Sequence, residues 1–306
     1  MPEFPPLIVL AGATATGKTG LSLRLAEALG GAEIISADSR QVYRGLDIGT
    51  AKVTLEERGR VPHHGLDLVD PDEPFSVVDH ARHATAVLPE IASRGRVALL
   101  VGGTGLYLRA VGRGVAFDHL PSDPALRARL EIEITERGLA AAVERLRALA
   151  PVRSGQVDLA NPRRVARALE IAELAGDRPP PIPRGYPGPI LWLGLLVEPT
   201  THREWIWQRA RAQFDAGLLG EAAAIRARYP EDLRSLSAIG YPEAFGVLDG
   251  RWSLEAAIIQ DAQRNVAFAR RQRTWFRSEP GIAWFDATAC DPFDWALSQA
   301  RAFLGA

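Results

Sequence analysis

Leu7-Ile8-Val9-Leu10-Ala11-Gly12-Ala13-Thr14-Ala15-Thr16-Gly17-Lys18-Thr19 is the stretch that decides the fold. Its first five residues are apolar and read as a short buried strand. Gly12 to Thr19 then spell glycine, four residues and Gly-Lys-Thr, and a helix is expected from about Thr19 to Leu29. A loop that follows a strand and opens a helix in this way turns its backbone amides toward an anion. The helix dipole adds to them, Lys18 supplies a point charge, and the Thr19 hydroxyl can hold magnesium. Gly12, Ala13, Thr14, Ala15, Thr16, Gly17, Lys18 and Thr19 are therefore the expected phosphate-binding residues, with Thr19 the metal contact.

Outward from this loop, short β-rich runs alternate with helical stretches. Strands are expected at Glu33 to Ser36, Val97 to Val101 and Ile190 to Val197. Such alternation implies a parallel sheet with flanking helices, an α/β fold like that of P-loop NTPases. Between the last two strands the composition changes. Asp118 to Asp177 is rich in Arg, Ala, Leu and Glu and helical by period, and Pro179-Pro180-Pro181-Ile182-Pro183 closes it with a stiff segment. An inserted, mostly helical domain is expected over 118–187, leaving a core of 1–117 and 188–306. Within the insert, Asn161-Pro162 reads as an N-cap and first helical residue of a helix running to Ala175 and stopping at Gly176. The C-terminal part is expected to be helical over Arg203 to about Tyr229 and Leu254 to Arg277.

Composition narrows the function classes. The 306 residues carry 36 basic and 37 acidic side chains, and 47% are apolar, so a disordered tail, a fibre and a wholesale basic coat are excluded. Any nucleic-acid contact must be a local patch. Cys290 is the sole cysteine, which excludes a disulfide framework or a paired-cysteine zinc site and fits a reducing cytosol. No leader or membrane-length apolar run is found, so a cytoplasmic protein without a membrane role is expected. Lys18 and Lys52 are the only lysines among a crowd of arginines, and a lysine that survives such a bias invites a chemical explanation.

A phosphate cradle does not identify a reaction. A P-loop NTPase normally ends a later strand in Asp to hold magnesium, whereas Val97 to Val101 runs into Gly102-Gly103-Thr104-Gly105. That favours group transfer from a phosphorylated donor over an ATP-driven motor. Asp38, at the end of the second strand, stands where open α/β sheets place ligands; it is either a general base, a cap for the following turn, or a magnesium ligand. Thr104 is either a hydroxyl donor to a leaving-group oxygen or a helix N-cap. His63-His64 point to opposite sides of an extended chain and read as structural. Arg163, Arg164 and Arg167 fall within about a turn and can meet a phosphate backbone together. Residues 262–278 hold Arg264, Arg270, Arg271, Arg273 and Arg277 with no acidic residue; Arg270, Arg273 and Arg277 share a face, and Phe268 and Trp275 read as packing residues.

Together with Gly12 to Thr19, the segments Asp38-Ser39-Arg40-Gln41-Val42-Tyr43, Asp47-Ile48-Gly49-Thr50-Ala51-Lys52, Gly102-Gly103-Thr104-Gly105-Leu106-Tyr107, Asn161-Pro162-Arg163-Arg164, Ile239-Gly240-Tyr241 and Arg270-Arg271-Gln272-Arg273-Thr274-Trp275 occur in order. Over nearly its whole length the chain resembles the bacterial tRNA dimethylallyltransferases, the IPP transferase family. The resemblance implies transfer of a dimethylallyl group from dimethylallyl diphosphate to the exocyclic amine of the adenosine just 3′ of the tRNA anticodon, with release of diphosphate and magnesium as the companion ion. It implies a P-loop that holds the donor's diphosphate together with Lys18 and Arg209, Asp38 as general base toward the amine, and Thr104 in contact with the reacting groups. It places Asp38, Ser39, Arg40 and Gln41 against the target nucleotide, and Arg127, Arg163, Arg164, Val165, Ala166 and Arg167 against the tRNA. Two rivals remain: a small-molecule or nucleoside kinase using ATP, and a nucleotide-regulated RNA-binding module without chemistry. A monomer is the default.

Overall fold

The computed structural model describes residues 3–115, 120–177, 179 and 182–305. Asp118, where composition opens the insert, and Pro180 and Pro181 of the proline run lie outside the described residues. The chain divides into two compact units, Met1–Gly114 with Gly185–Ala306, and Val115–Arg184.

The first unit begins with β1 (Leu7–Gly12), α1 (Lys18–Ala28), β2 (Glu33–Ser36), α2 (Leu55–Arg60), β3 (His63–His64), α3 (Val77–Ser93), β4 (Ala98–Gly102) and α4 (Gly105–Gly112). The second unit holds α5 (Pro124–Arg137), α6 (Leu139–Leu149), α7 (Pro151–Ser154) and α8 (Pro162–Ala175). The chain then returns to the first unit through β5 (Ile190–Leu196), α9 (Pro199–Asp215), α10 (Leu218–Arg226), a 3₁₀ turn at Arg234–Ser237, α11 (Tyr241–Leu248), α12 (Leu254–Arg277), β6 (Ala283–Asp286) and α13 (Phe293–Leu304).

The sheet order is β3-β2-β4-β1-β5-β6, and every pairing is parallel. β1 lies inside it, with Leu7 opposite Ala98 on one side and Ile190 on the other. All six of its residues are buried, as expected where helices cover both faces of a sheet. Its side chains alternate: Leu7, Val9 and Ala11 pack with Ile35, Ile91, Leu100 and Leu108, whereas Ile8 and Leu10 pack with Leu25, Ile34, Leu99 and Leu193. The carboxyl ends of β2, β4 and β1 come side by side, bringing Asp38, Thr104 and the Gly12–Thr19 loop to one edge.

One expectation is corrected. The stretch from Arg203 to Tyr229 is two helices, because Gly217 adopts φ 102° and ends the first. The helical period survives the break, since Phe214, Leu218, Ala222 and Ile225 all enter one core. The compact unit Val115–Arg184 corresponds to the insert expected over 118–187. Gly185 N–H donates to the Arg113 carbonyl at 2.9 Å, so both connecting segments are tied down at that point. In the second unit, Leu126, Leu130, Leu146, Val165 and Leu169 form a separate core, and α8 starts as expected, with Asn161 Oδ1 accepting from the amides of Arg163 and Arg164.

Candidate functional site

Between β1 and α1 the loop turns through two left-handed residues, Ala15 (φ 58°) and Gly17 (φ 84°), which aim its amides inward. Thr16 Oγ1 donates to the Ala13 carbonyl at 3.0 Å, and Lys18 Nζ donates to the same oxygen at 2.5 Å. Two helices distant in sequence brace the loop. Gln272 of α12 accepts from Thr14 N–H at 2.8 Å, and His202 Nε2 of α9 donates to the Thr14 carbonyl at 2.8 Å. Gln272 Nε2 also donates to the Gly103 carbonyl at 2.9 Å, so one amide ties the phosphate loop to the loop that carries Thr104. Neither Gln272 nor His202 is visible from motif reading; the 270–275 wording draws attention to its arginines, while its one uncharged polar side chain other than Thr274 spans both loops.

Asp38 both closes its own turn and faces a cavity. Its Oδ1 accepts from Arg40 N–H at 2.8 Å and Gln41 N–H at 3.4 Å, the arrangement of an Asx turn. The capping and general-base readings are therefore compatible, because the turn uses one carboxylate oxygen. Thr104 is the N-cap of α4 but makes no side-chain cap bond; its Oγ1 accepts from Ser39 N–H at 3.1 Å, which leaves the hydroxyl proton to donate elsewhere. Gly102 is required beneath them, since a Cβ there would collide with the Ala37 carbonyl.

Arg209 joins the two halves of the site. It lines three cavities: one of about 90 Å³ with Lys18, Thr19, Asp38 and Gln41; one of about 360 Å³ with Asp38, Ser39, Thr104 and Phe268; and one of about 320 Å³ with the loop from Ala15 to Thr19. Asp38 is common to the first two. Arg209 Nε is buried without a hydrogen-bond partner among the described residues. Burial lowers the proton affinity of Arg209, against the pull of Asp38 and Asp261. Burial, and next the Arg209 charge, bring the Lys18 ammonium down to about 7, with Asp38 opposing. Two cations that repel each other inside a cavity wall are a site built for an anion.

The metal reading can be tested on the same residues. Thr19 is exposed at the loop's end, and its hydroxyl makes no hydrogen bond among the described residues. No group of three His, Cys, Asp or Glu side chains suited to a metal occurs among them. A hydroxyl at the end of an amide-lined loop fits magnesium, which keeps most of its water and takes its other oxygens from a phosphate.

Several expected residues are also engaged with neighbours, Arg40 while lining the 360 Å³ cavity and Gln41 the 90 Å³ one. Arg40 donates to the carbonyls of Arg234 and Ser235 and to Ser237 Oγ, clamping the 3₁₀ turn. Gln41 bridges Ser36 Oγ and the carbonyls of Thr50 and Ala51. Val165 and Ala166 are 0% exposed in the core of the second unit, so their side chains do not present a surface. Arg127 and Arg167 both pair at 2.7 Å with Glu170, itself 0% exposed. Burial alone would raise the Glu170 carboxyl, but these hydrogen bonds hold it below its ordinary range. Arg163 and Arg164 remain exposed on α8. Phe268, expected to pack, is half-buried in the walls of two cavities, with the Arg271 guanidinium 5.7 Å from its ring centre. Trp275 does pack, against Gly105, with Arg109 4.4 Å from its ring centre. His64 pairs with Glu33 and His63 with the Val61 carbonyl.

The IPP transferase family matches residues 41–279 of this chain. A tRNA dimethylallyltransferase of Geobacillus kaustophilus is 42% identical over 289 residues, covering 93% of this chain and 91% of its own length. The crystal structure of the full-length tRNA isopentenylpyrophosphate transferase from Bacillus halodurans is 40% identical, with a TM-score of 0.71 over 98% of this chain and 95% of that one. A second, the tRNA delta(2)-isopentenylpyrophosphate transferase of Staphylococcus epidermidis, is 29% identical with a TM-score of 0.70 over 98% and 99%.

Proposed function

The chain belongs to the IPP transferase family, and from that premise we propose that it is a prenyltransferase that moves a dimethylallyl group from dimethylallyl diphosphate to the exocyclic amine of the adenosine 3′-adjacent to a tRNA anticodon. The observation that carries this reading is the shared wall: Asp38 and Arg209 line both the cavity at Lys18 and Thr19 and the larger one at Thr104. Donor diphosphate on one side and acceptor base on the other would meet at a carboxylate and a guanidinium. As the carbon–nitrogen bond forms, the carbon–oxygen bond breaks with its electron pair going to the diphosphate, and Asp38 takes the proton the amine loses. Loop amides, Lys18 and Arg209 stabilise the departing charge. The Thr19 hydroxyl would hold magnesium, which neutralises diphosphate charge when bound. Thr104 donates its free hydroxyl proton to a reacting oxygen.

The exposed Arg163 and Arg164 are read as contacts to the anticodon stem, and the enzyme as acting as a monomer in the cytoplasm. Every residue lining the three cavities belongs to the first unit, and no helix among the described residues is long and apolar enough to cross a membrane. The relatives carry prenyl-transfer names, so the kinase reading is set aside. Incubation with carbon-labelled dimethylallyl diphosphate and unmodified tRNA should place label in RNA and release diphosphate; transfer of labelled phosphorus from ATP to any acceptor would overturn the reading.

A further inference from the structure

Along α12, Asp261, Asn265, Phe268 and Gln272 recur at the spacing of one helix face. Phe268 and Gln272 have a place in the site already; Asn265 and Asp261 have none. Asn265 lines the 360 Å³ cavity together with Asp38 and Thr104, and Asp261 lies behind it, 1% exposed. Asn265 Nδ2 donates to Asp261 Oδ1 at 2.7 Å. Burial raises the Asp261 carboxyl to about 6, against the Asn265 hydrogen bond, so at pH 7 and above it is mainly ionised and only accepts; the amide then turns its NH₂ toward Asp261, and its carbonyl Oδ1 has no hydrogen-bond partner among the described residues. The wall of this cavity also carries the cations Arg40, Arg209, Arg264 and Arg271 and several hydroxyls, among which Asn265 adds an amide acceptor facing the same space as Asp38.

Asp261 is not an incidental neighbour. Its second oxygen, Oδ2, is buried with no hydrogen-bond partner among the described residues, and a Cβ on Gly240 (φ 106°) would come within 3.2 Å of it. A half-satisfied buried carboxylate is unfavourable for the fold by itself. What it accomplishes is to fix which end of the Asn265 amide meets the cavity.

We propose that Asn265 determines specificity for the acceptor base, its carbonyl accepting a hydrogen bond from the exocyclic amine of adenine, and that Asp261 is the positioning residue that orients it. This rests on adenosine being the acceptor and deepens that reading. The adenine amine carries two N–H bonds. One proton leaves to Asp38 as the carbon–nitrogen bond forms and the carbon–oxygen bond to diphosphate breaks; the other stays on nitrogen in the product. Asn265 holds the retained N–H, turning the nitrogen toward the incoming carbon. Guanine and hypoxanthine offer a carbonyl at the same position, which would set oxygen against oxygen.

The test uses the full chain, dimethylallyl diphosphate and two synthetic anticodon stem-loops, with adenosine or inosine at the target position. Asn265→Ala should lower kcat/KM for the adenosine loop by about 10–100-fold, leave the donor KM within about twofold, and shrink the binding preference for adenosine over inosine by about fivefold or more. Asp261→Asn can offer NH₂ to the Asn265 carbonyl and let the amide turn round; it should produce the same loss of preference, and the double variant should be no worse than Asn265→Ala alone. Wild-type preference retained in both single variants, losses that add, or a donor KM that rises as far as transfer falls would overturn the proposal. Absence of transfer by the wild type to the adenosine loop would instead overturn the reading on which it rests.

Discussion

The two lysines of this chain, one opening α1 and one closing the Asp47–Lys52 turn, are treated by their surroundings in opposite ways. The side chain of Lys52, at the end of Asp47–Lys52, is 1% exposed and donates to Asp47 at 2.7 Å, Asp67 at 2.6 Å and the Tyr43 carbonyl at 2.6 Å. All three of its protons are used. Burial would raise Asp67, but hydrogen bonds from Lys52 and Arg58 hold that carboxyl below its ordinary range. Lys18 has one carbonyl partner, a repelling arginine and an open cavity in front of it. A lysine whose donors are all satisfied locks a loop; one left short of acceptors is waiting for a ligand. The same reasoning separates Glu221, which accepts from the amides of Asp47, Ile48 and Gly49 and from Tyr241 Oη, from Asp38, which closes a turn with one oxygen only.

The contrast can be broken experimentally. The largest effect is expected at Asp38: Asp38→Ala should slow single-turnover transfer by about 10²–10⁴-fold while tRNA affinity stays within a few-fold, and an unchanged rate would remove the base assignment. Lys18→Met should cost about 10²–10³-fold in kcat with little change in melting temperature. Lys52→Met should do the reverse. Losing three hydrogen bonds from a buried ammonium, with Asp67 left to Arg58 and Asp47 to water, is expected to lower unfolding free energy by about 1–3 kcal/mol in urea titration, while the activity per folded molecule stays within about threefold. If both lysine variants lost activity and stability together, the distinction drawn from their partners would be wrong.

Smaller effects sharpen the picture. Because Lys18 loses its proton near pH 7 in the free protein and a diphosphate would restore it, donor affinity should be flat below pH 7 and weaken by about tenfold per unit above it. Calorimetry at pH 8 in two buffers of different ionisation enthalpy should show uptake of nearly one proton, and none if Lys18 stays charged throughout. At the second unit, Arg163→Ala and Arg164→Ala should each reduce the salt slope of tRNA binding by about one, whereas Arg127→Ala should mainly destabilise by uncovering Glu170.

How much of this was legible follows from the range over which each feature acts. The phosphate loop, the Asn161 cap and the strand-end position of Asp38 are written in consecutive residues, so the sequence displays them directly. Helix breaking at Gly217 was hidden because the apolar period runs through it, and the two-residue strand His63–His64 and the edge strand Ala283–Asp286 are too short to carry a pattern. Gln272 reaching Thr14 joins positions 258 apart, and no local wording announces it. Arg167 was read from a charge run and Arg127 from the family resemblance, and neither displays the buried Glu170 that engages both side chains. Asn265 escaped for a related reason, being a neutral residue among arginines.

The hydrogen bond from Gly185 to Arg113 has an architectural corollary. It places the exit and re-entry of Val115–Arg184 a single contact apart, so that the excursion is closed at its base before it begins. A polypeptide detour anchored in this way adds little loop-closure entropy to the sheet that hosts it, and the cost grows only logarithmically with its length. The helical segment is thus a replaceable cassette: bridging Arg113 to Gly185 with a tight turn would leave the strand order, the phosphate loop and all three cavities with their covalent framework intact.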